Sequence, residues 1–205
     1  MEAIPLTVAP GMTRKRGCAT AVVALVLGAA VGGAVGLLGG RTAGLVSGGV
    51  VAACFLFVAW AAARRRLSLE GTAVVARTLG SKTVDLRRAD RIELMVSDVR
   101  GMRTVSVLVG QGRRTINISL AVYAGTGGRE LGVLAIRKLA DAFAASEHTA
   151  GLVFSQLLVA QLRAEAQGAP AADRPLYQLA ATAPQGKVVQ RLSADAVTRF
   201  VASLD

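Results

Sequence analysis

Residues 18–38, CATAVVALVLGAAVGGAVGLL, and residues 43–63, AGLVSGGVVAACFLFVAWAAA, decide how this chain is built. Neither run holds a charged residue, and only Gly39-Gly40-Arg41-Thr42 separates them. Each run has 21 residues, and at 1.5 Å rise a helix of that length reaches about 30 Å, the thickness of a bilayer's hydrocarbon core. Four connecting residues leave room for a tight turn only, so the runs are expected to cross the bilayer and return as a helical hairpin. Arg14, Lys15 and Arg16 precede the first run, Arg64, Arg65 and Arg66 follow the second, and the turn carries Arg41 alone. Positive charge favours the cytoplasmic side, which puts both termini in the cytoplasm and the protein in the cell (inner or plasma) membrane as a multi-pass protein. Trp60 stands near the cytoplasmic end of the second span, at headgroup level.

Composition agrees with that division. Of 205 residues 53% are apolar and only 4% aromatic, yet 24 Lys and Arg stand against 13 Asp and Glu, a net charge of +11. A mean hydropathy of +0.50 fits so basic a chain only if apolar and charged residues occupy separate segments. The apolar fraction argues against disorder. Two cysteines, both within the apolar runs, exclude a disulfide scaffold; Cys18 and Cys54 read as small buried thiols.

A basic stretch ahead of an apolar run also describes a signal peptide, and Val51-Ala52-Ala53-Cys54 has the look of a lipoprotein cleavage box. The first run is too long for a usual signal core, a second span follows at once, and the box lies deep inside that span. Cleavage is not expected.

Gly28, Gly32, Gly36 and Gly40 recur every four residues, and Gly44, Gly48 and Ala52 keep the interval in the second span. That spacing lines one helix face, where missing side chains allow close backbone approach. Chance spacing in an Ala- and Gly-rich chain, packing within the hairpin, and homodimerisation through a leftover face all account for it. Neither span contains Asp, Glu, Lys or His, which argues against an ion pathway.

After Arg66 the apolar residues alternate. Leu67–Glu70 and Thr72–Leu79 read as strands around Gly71, and Gly80-Ser81 turns into Lys82–Leu86. Arg91–Val96 places Ile92, Leu94 and Val96 on one face; Thr104–Val109 is β-rich; Gln111-Gly112 turns into Arg113–Leu120, where Ile116, Ile118 and Leu120 alternate with polar partners. The period then lengthens. A helix is expected over Arg129–Ala145, with Leu131, Leu134, Ala135, Leu139, Ala142 and Phe143 on one stripe. About six strands and one amphipathic helix make a small antiparallel barrel or bent sandwich capped by the helix. A further helix is expected over Thr149–Ala166, with Leu152, Val153, Leu157, Val159 and Leu162 among its apolar positions, stopped by Gly168-Ala169-Pro170. Ala169–Pro175 is linker-like, and Ser193 caps a last helix, Ala194–Leu204, with Asp195 in its first turn.

Residues 64–146 resemble a bacterial, membrane-tethered pleckstrin-homology (PH) domain. The resemblance is carried by the three arginines leaving the span, the strand pair Leu67–Leu79, Val84-Asp85-Leu86, Ala89-Asp90-Arg91-Ile92-Glu93-Leu94, Gly112-Arg113-Arg114-Thr115-Ile116, and Gly128-Arg129-Glu130-Leu131 before the closing helix. It implies a seven-stranded, two-sheet fold whose C-terminal helix plugs one end; function does not follow from such a fold. PH domains that read phosphoinositides cluster Lys and Arg in the first strand pair, whereas here only Arg77 and Lys82 flank Gly80-Ser81. The expected organisation is thus α+β: a cytoplasmic segment 1–16, a hairpin within 17–66, a PH-like domain 67–146 and a helical extension 147–205.

Residues 64–114 hold 12 basic and 5 acidic side chains, a net +7. Tethered within a Debye length of anionic headgroups, each cation adds about 1 kcal/mol of attraction. Arg14, Lys15, Arg16, Arg64, Arg65, Arg66, Arg77 and Lys82 are the candidate membrane-surface contacts, though such arginines also serve as solvated strand faces. Catalytic chemistry finds no foothold. His148 is the single histidine, without a companion at metal-ligand spacing, and reads as a surface or helix-end imidazole. No nucleophile elbow occurs; Gly125-Thr126-Gly127-Gly128 lacks the Lys-Ser/Thr ending of a phosphate loop. Scarce aromatics argue against nucleic acid. The expectation is a non-enzymatic integral membrane protein without cofactor or metal, presenting its PH-like domain to a protein partner, a second copy or anionic lipid headgroups. The alternative is an accessory subunit of a membrane enzyme or transport complex.

Overall fold

The computed structural model describes residues 3–8, 12–63, 66–78, 80–182 and 189–203, with side chains in the two long helices from 22 to 61. It divides into two units: Met1–Val8, Arg66–Arg77 and Ser81–Asp205 in one, Ala9–Arg65 and Thr78–Gly80 in the other.

The second unit is built on helices α1 (Met12–Gly39) and α2 (Arg41–Ala63). Val22–Gly39 and Arg41–Ala61 are long and apolar enough to cross a membrane. Their apolar side chains are left bare, Leu37 89% and Leu38 94% exposed, unlike those of a helix in a soluble core. Cys54, expected to be buried, is exposed on α2. Phe57 and Trp60, one turn apart, lie with ring centroids 5.9 Å apart.

The first unit is α+β, with two antiparallel sheets that do not close into a barrel. The first sheet runs β1 (Ile4–Pro5), β2 (Arg66–Glu70), β3 (Ala73–Arg77), β4 (Ser81–Asp85). The second contains β5 (Arg91–Val99), β6 (Met102–Gln111), β7 (Arg114–Ala124), β8 (Gly127–Glu130) and β9 (Gln190–Leu192), in the order β8-β7-β6-β5-β9. Between Arg66 and Glu130 the described residues form seven strands, one more than alternation reveals; β1 and β9 add a short edge strand to each sheet. Val74, Val84 and Leu69 from the first sheet, and Leu94, Val107 and Ile118 from the second, are wholly or almost wholly buried in one core. The turns are held by side chains: Asp90 Oδ2 accepts from the Gly112 amide at 2.7 Å, and Gln111 Oε1 accepts from the Asp85 amide at 3.2 Å.

Among the described residues, four helices complete the unit: α3 (Val133–Ala144), α4 (Thr149–Ala166), α5 (Pro175–Thr182) and α6 (Ala194–Ala202). The helix expected from Arg129 begins four residues later, because Gly127–Glu130 is drawn into β8 by pairing with Ala121–Ala124. With that start Ile136 and Ala140 join the buried stripe, while Leu134 is exposed. In α4 the bounds are as expected; of its apolar positions Leu157 is buried together with Phe154 and Leu158, while Leu152 and Val159 are exposed. The linker expected at Ala169–Pro175 holds a 3-10 turn, Ala171–Asp173, and opens α5 with Pro175 at its first position, where the missing N–H costs no hydrogen bond. Leu157, Leu176, Leu179 and Val197 lie in the same core as the sheets. The described part of 147–205 is therefore a wall of this unit.

Candidate membrane and binding surfaces

The glycine interval has a geometric cause. A Cβ added at Gly44 would lie 2.5 Å from the Gly32 carbonyl oxygen and 2.6 Å from Gly36 Cα; one at Gly48 would lie 2.7 Å from the Gly28 oxygen. At Gly28 it would meet Ala52 Cβ at 2.9 Å, and at Gly32 the Gly44 oxygen at 2.8 Å. Such distances are below any real Cβ contact, so α1 and α2 approach backbone to backbone on this face. Gly36 is less crowded, its nearest neighbour being Gly44 Cα at 3.6 Å. Gly40 does not pack. It forms the turn at φ +88°, a conformation that favours glycine, with nothing near its Cβ position. Gly33 and Gly49 likewise face open space.

The basic candidates divide. Arg14, Lys15 and Arg16 fall within α1, but their side chains lie outside the described residues, as do Arg64 and Arg65 altogether. Arg66 and Arg77 are direct cross-strand partners, so both project from the same face of the β2–β3 pair. Like charges so placed repel, and Glu70, on the same face, accepts from Arg77 Nη2 at 3.4 Å. With side chains 67% and 36% exposed, that ion pair contributes little to stability. Lys82 pairs with Ala76 on the opposite face, at the exposed end of the row that buries Leu69, Val74 and Val84. Arg66 and Arg77 are therefore brought together, and Lys82 is not brought to them.

A polar cluster that sequence reasoning missed lies at the other side of the unit. Glu130, at the end of β8, accepts from Arg174 Nη1 at 2.7 Å and Gln161 Nε2 at 2.8 Å through one oxygen, and from Tyr123 OH at 2.7 Å through the other. Gln161, wholly buried on α4, accepts from the Leu176 amide at 3.1 Å. Arg174 also donates to the Ala169 carbonyl at 2.9 Å. Tyr177 stands edge-on to Tyr123, centroids 5.1 Å apart, and donates to the Gly125 carbonyl at 3.1 Å. Burial first, then the hydrogen bond to Glu130, pushes the Tyr123 phenol far above its ordinary value; the same carboxylate raises Arg174. The cluster ties β7, β8, α4 and α5 together with its polar groups paired, the condition for burying charge without large loss. Its one sequence signal was Glu130 among the apolar positions before α3, and the helical reading of that segment concealed it.

A cavity of about 580 Å³ lies beside the cluster, with Asp98, Arg103, Tyr123 and Tyr177 in its wall. Arg103 is engaged there, 3.6 Å from Asp98 and donating to the Ala180 carbonyl at 3.3 Å. His148 takes the helix-end role: its Nδ1 accepts from the Ala150 amide at 3.1 Å and caps α4. Ser193 caps α6 in the same way, accepting from Ala196 at 3.3 Å. Among the described residues, no group of three His, Cys, Asp or Glu could hold a metal ion. Comparison of the chain with protein-family models, with curated proteins and with solved structures finds no match.

Proposed function

We propose that this chain is a non-enzymatic, multi-pass protein of the cell membrane. In this reading α1 and α2 cross the bilayer, both termini are cytoplasmic, and the α+β unit is a PH-like binding module for a protein partner or the membrane surface. One observation carries the reading: β1, ahead of α1, and β2, behind α2, are hydrogen-bonded neighbours, Ile4 opposite Leu69 and Pro5 opposite Ser68. A bilayer-crossing segment between two paired strands must cross an even number of times, and two apolar helices supply two crossings. The count and order of β2 to β8 followed by α3 support the PH-like reading, since seven strands and a closing helix are what the resemblance implies. The excess of Lys and Arg flanking the helices over the single Arg41 between them supports the cytoplasmic assignment.

The test is topological. In cells, a Cys18→Ala/Cys54→Ala chain carrying Arg41→Cys is expected to react with a membrane-impermeant maleimide from outside, while the same background with Ser203→Cys reacts only after lysis. Reaction of Ser203→Cys in intact cells would overturn the orientation. Recovery of the chain in the supernatant after high-speed sedimentation without detergent would overturn the membrane reading itself. Purification from detergent then separates binding module from accessory subunit, the latter by stable co-purification with a transporter or synthase.

A further inference from the structure

The β5–β6 hairpin ends in a turn of unusual composition. Arg100 has φ +54°, the one non-glycine residue at positive φ among those described, and Gly101 follows at φ +76°. Two successive positive φ angles suit Asn-Gly or Gly-Gly; arginine gains no local hydrogen bond there to offset the steric cost. Val99 and Met102 flank the turn, are cross-strand partners on one face, and are 49% and 40% exposed. Their row continues across the sheet to Ala124 and Gly127, both exposed. The next row on that face is Ser97, Thr104, Val122 and Arg129. Neither row contains a carboxylate. The nearest acids belong to the opposite face, where Asp98 faces Arg103 and Glu130 is taken by Arg174. Arg100 and Arg129 have no ion-pair partner among the described residues.

We infer that this end of the second sheet is a membrane-contact surface for an anionic lipid bilayer, made by Val99, Arg100, Met102 and Arg129; the inference rests on the membrane reading above. Two exposed apolar side chains are too few for the core of a stable protein–protein interface. They suffice for shallow insertion among headgroups by a unit whose chain already enters the bilayer three residues before β2. The two guanidiniums supply the charge complement: each presents parallel N–H donors to a lipid phosphate, with no neighbouring carboxylate to compete.

The experiment uses the full chain in vesicles of phosphatidylcholine, alone or mixed with phosphatidylglycerol, doped with nitroxide-labelled lipid as a quencher. Three single-cysteine chains carry a fluorophore: Cys54 itself in a Cys18→Ala chain, and Val99→Cys or Arg113→Cys in a Cys18→Ala/Cys54→Ala chain. Arg113 stands at the far end of β6, ~30 Å away along the strand. The label at 99 is expected to be quenched about twofold more than that at 113 in the anionic mixture, with the difference lost in phosphatidylcholine alone, at high salt, or with Arg100→Gln/Arg129→Gln. Equal quenching at 99 and 113, with Cys54 quenched in every composition, would overturn the inference and leave the membrane reading standing. Quenching at 99 that ignores lipid charge would overturn it as well. An unquenched Cys54 would remove the membrane reading and this inference together.

Discussion

Ile4 is the antiparallel partner of Leu69, so the strand before the two apolar helices and the strand after them lie side by side in one sheet. The Leu6 amide extends the pairing, donating to the Leu67 carbonyl at 2.9 Å. Bringing together residues so far apart in sequence carries a loop-closure entropy that grows only logarithmically with length. The helical hairpin reduces it further, because α1 and α2 run out and back. Leu6, ahead of α1, thereby becomes part of the β core and is 2% exposed.

Leu6→Ala is expected to destabilise the α+β unit by about 2–4 kcal/mol, the usual cost of truncating a fully buried leucine. Urea unfolding of the full chain in detergent measures it. A change within the few tenths typical of a surface site would mean that β1 does not hold in solution.

The hairpin glycines separate into two sets with opposite responses to a methyl group. Gly44→Ala places its Cβ against the Gly32 oxygen and Gly36 Cα, so the helices must move apart. Gly49→Ala meets nothing within 4 Å and gains roughly 0.5–1 kcal/mol of helix stability from reduced backbone freedom. Energy transfer between labels on α1 and α2 is expected to fall with Gly44→Ala and to stay unchanged with Gly49→Ala.

Tyr123 ties stability to alkaline pH. Its pKa is raised in the folded state above the ordinary 10.0, by burial and then by Glu130. The unfolded chain therefore releases the phenolic proton first. The associated stability is complete below about pH 10 and declines above it, by about 1.4 kcal/mol per pH unit while the folded phenol stays neutral. Tyr123→Phe is expected to remove this slope in stability measurements from about pH 9 to about pH 11, and an unaltered slope would refute the assignment.

Glu130→Gln leaves Arg174 without its charge partner in a site where the two side chains are 23% and 9% exposed, arginine first. The expected loss is roughly 2–4 kcal/mol. A double-mutant cycle with Arg174→Met isolates the pair, and a coupling near zero would show that the hydrogen bonds from Tyr123 and Gln161 suffice.

His148 caps α4 with a ring nitrogen, although Asp is the better N-cap and adds a favourable charge at the helix N-terminus. His148→Asp is expected to add about 0.5–1 kcal/mol, and His148→Ala to cost about the same, both read from the thermal midpoint.

What was legible in the sequence was local. Ile92, Leu94 and Val96, then Ile116, Ile118 and Leu120, alternate because one face of each strand is buried, and all six are buried. The bounds of α4 were visible because Gly168, at φ +71°, and Pro170 end it. The helix expected from Arg129 is present but starts at Val133, because Gly127–Glu130 pairs with β7 as β8, and periodicity carries no information about pairing. The helix α5 was concealed by Pro170 and Pro175, which mark a linker and a helix start alike. Neither β1 nor β9 is long enough to show a period. The Glu130 cluster draws on residues 123, 130, 161 and 174, which no spacing rule joins.

Charge-free length, a property of contiguous residues, by itself determined the two apolar helices and their tight turn, while glycine spacing marked a small-residue face without saying what packs on it. Tertiary structure alone decided that Ile4 completes a sheet with Leu69, that the C-terminal helices wall the same core, and that Glu130 gathers its partners. Each of those depends on bringing distant segments together, and such contacts are selected by burial and hydrogen bonding in three dimensions, not by local preference.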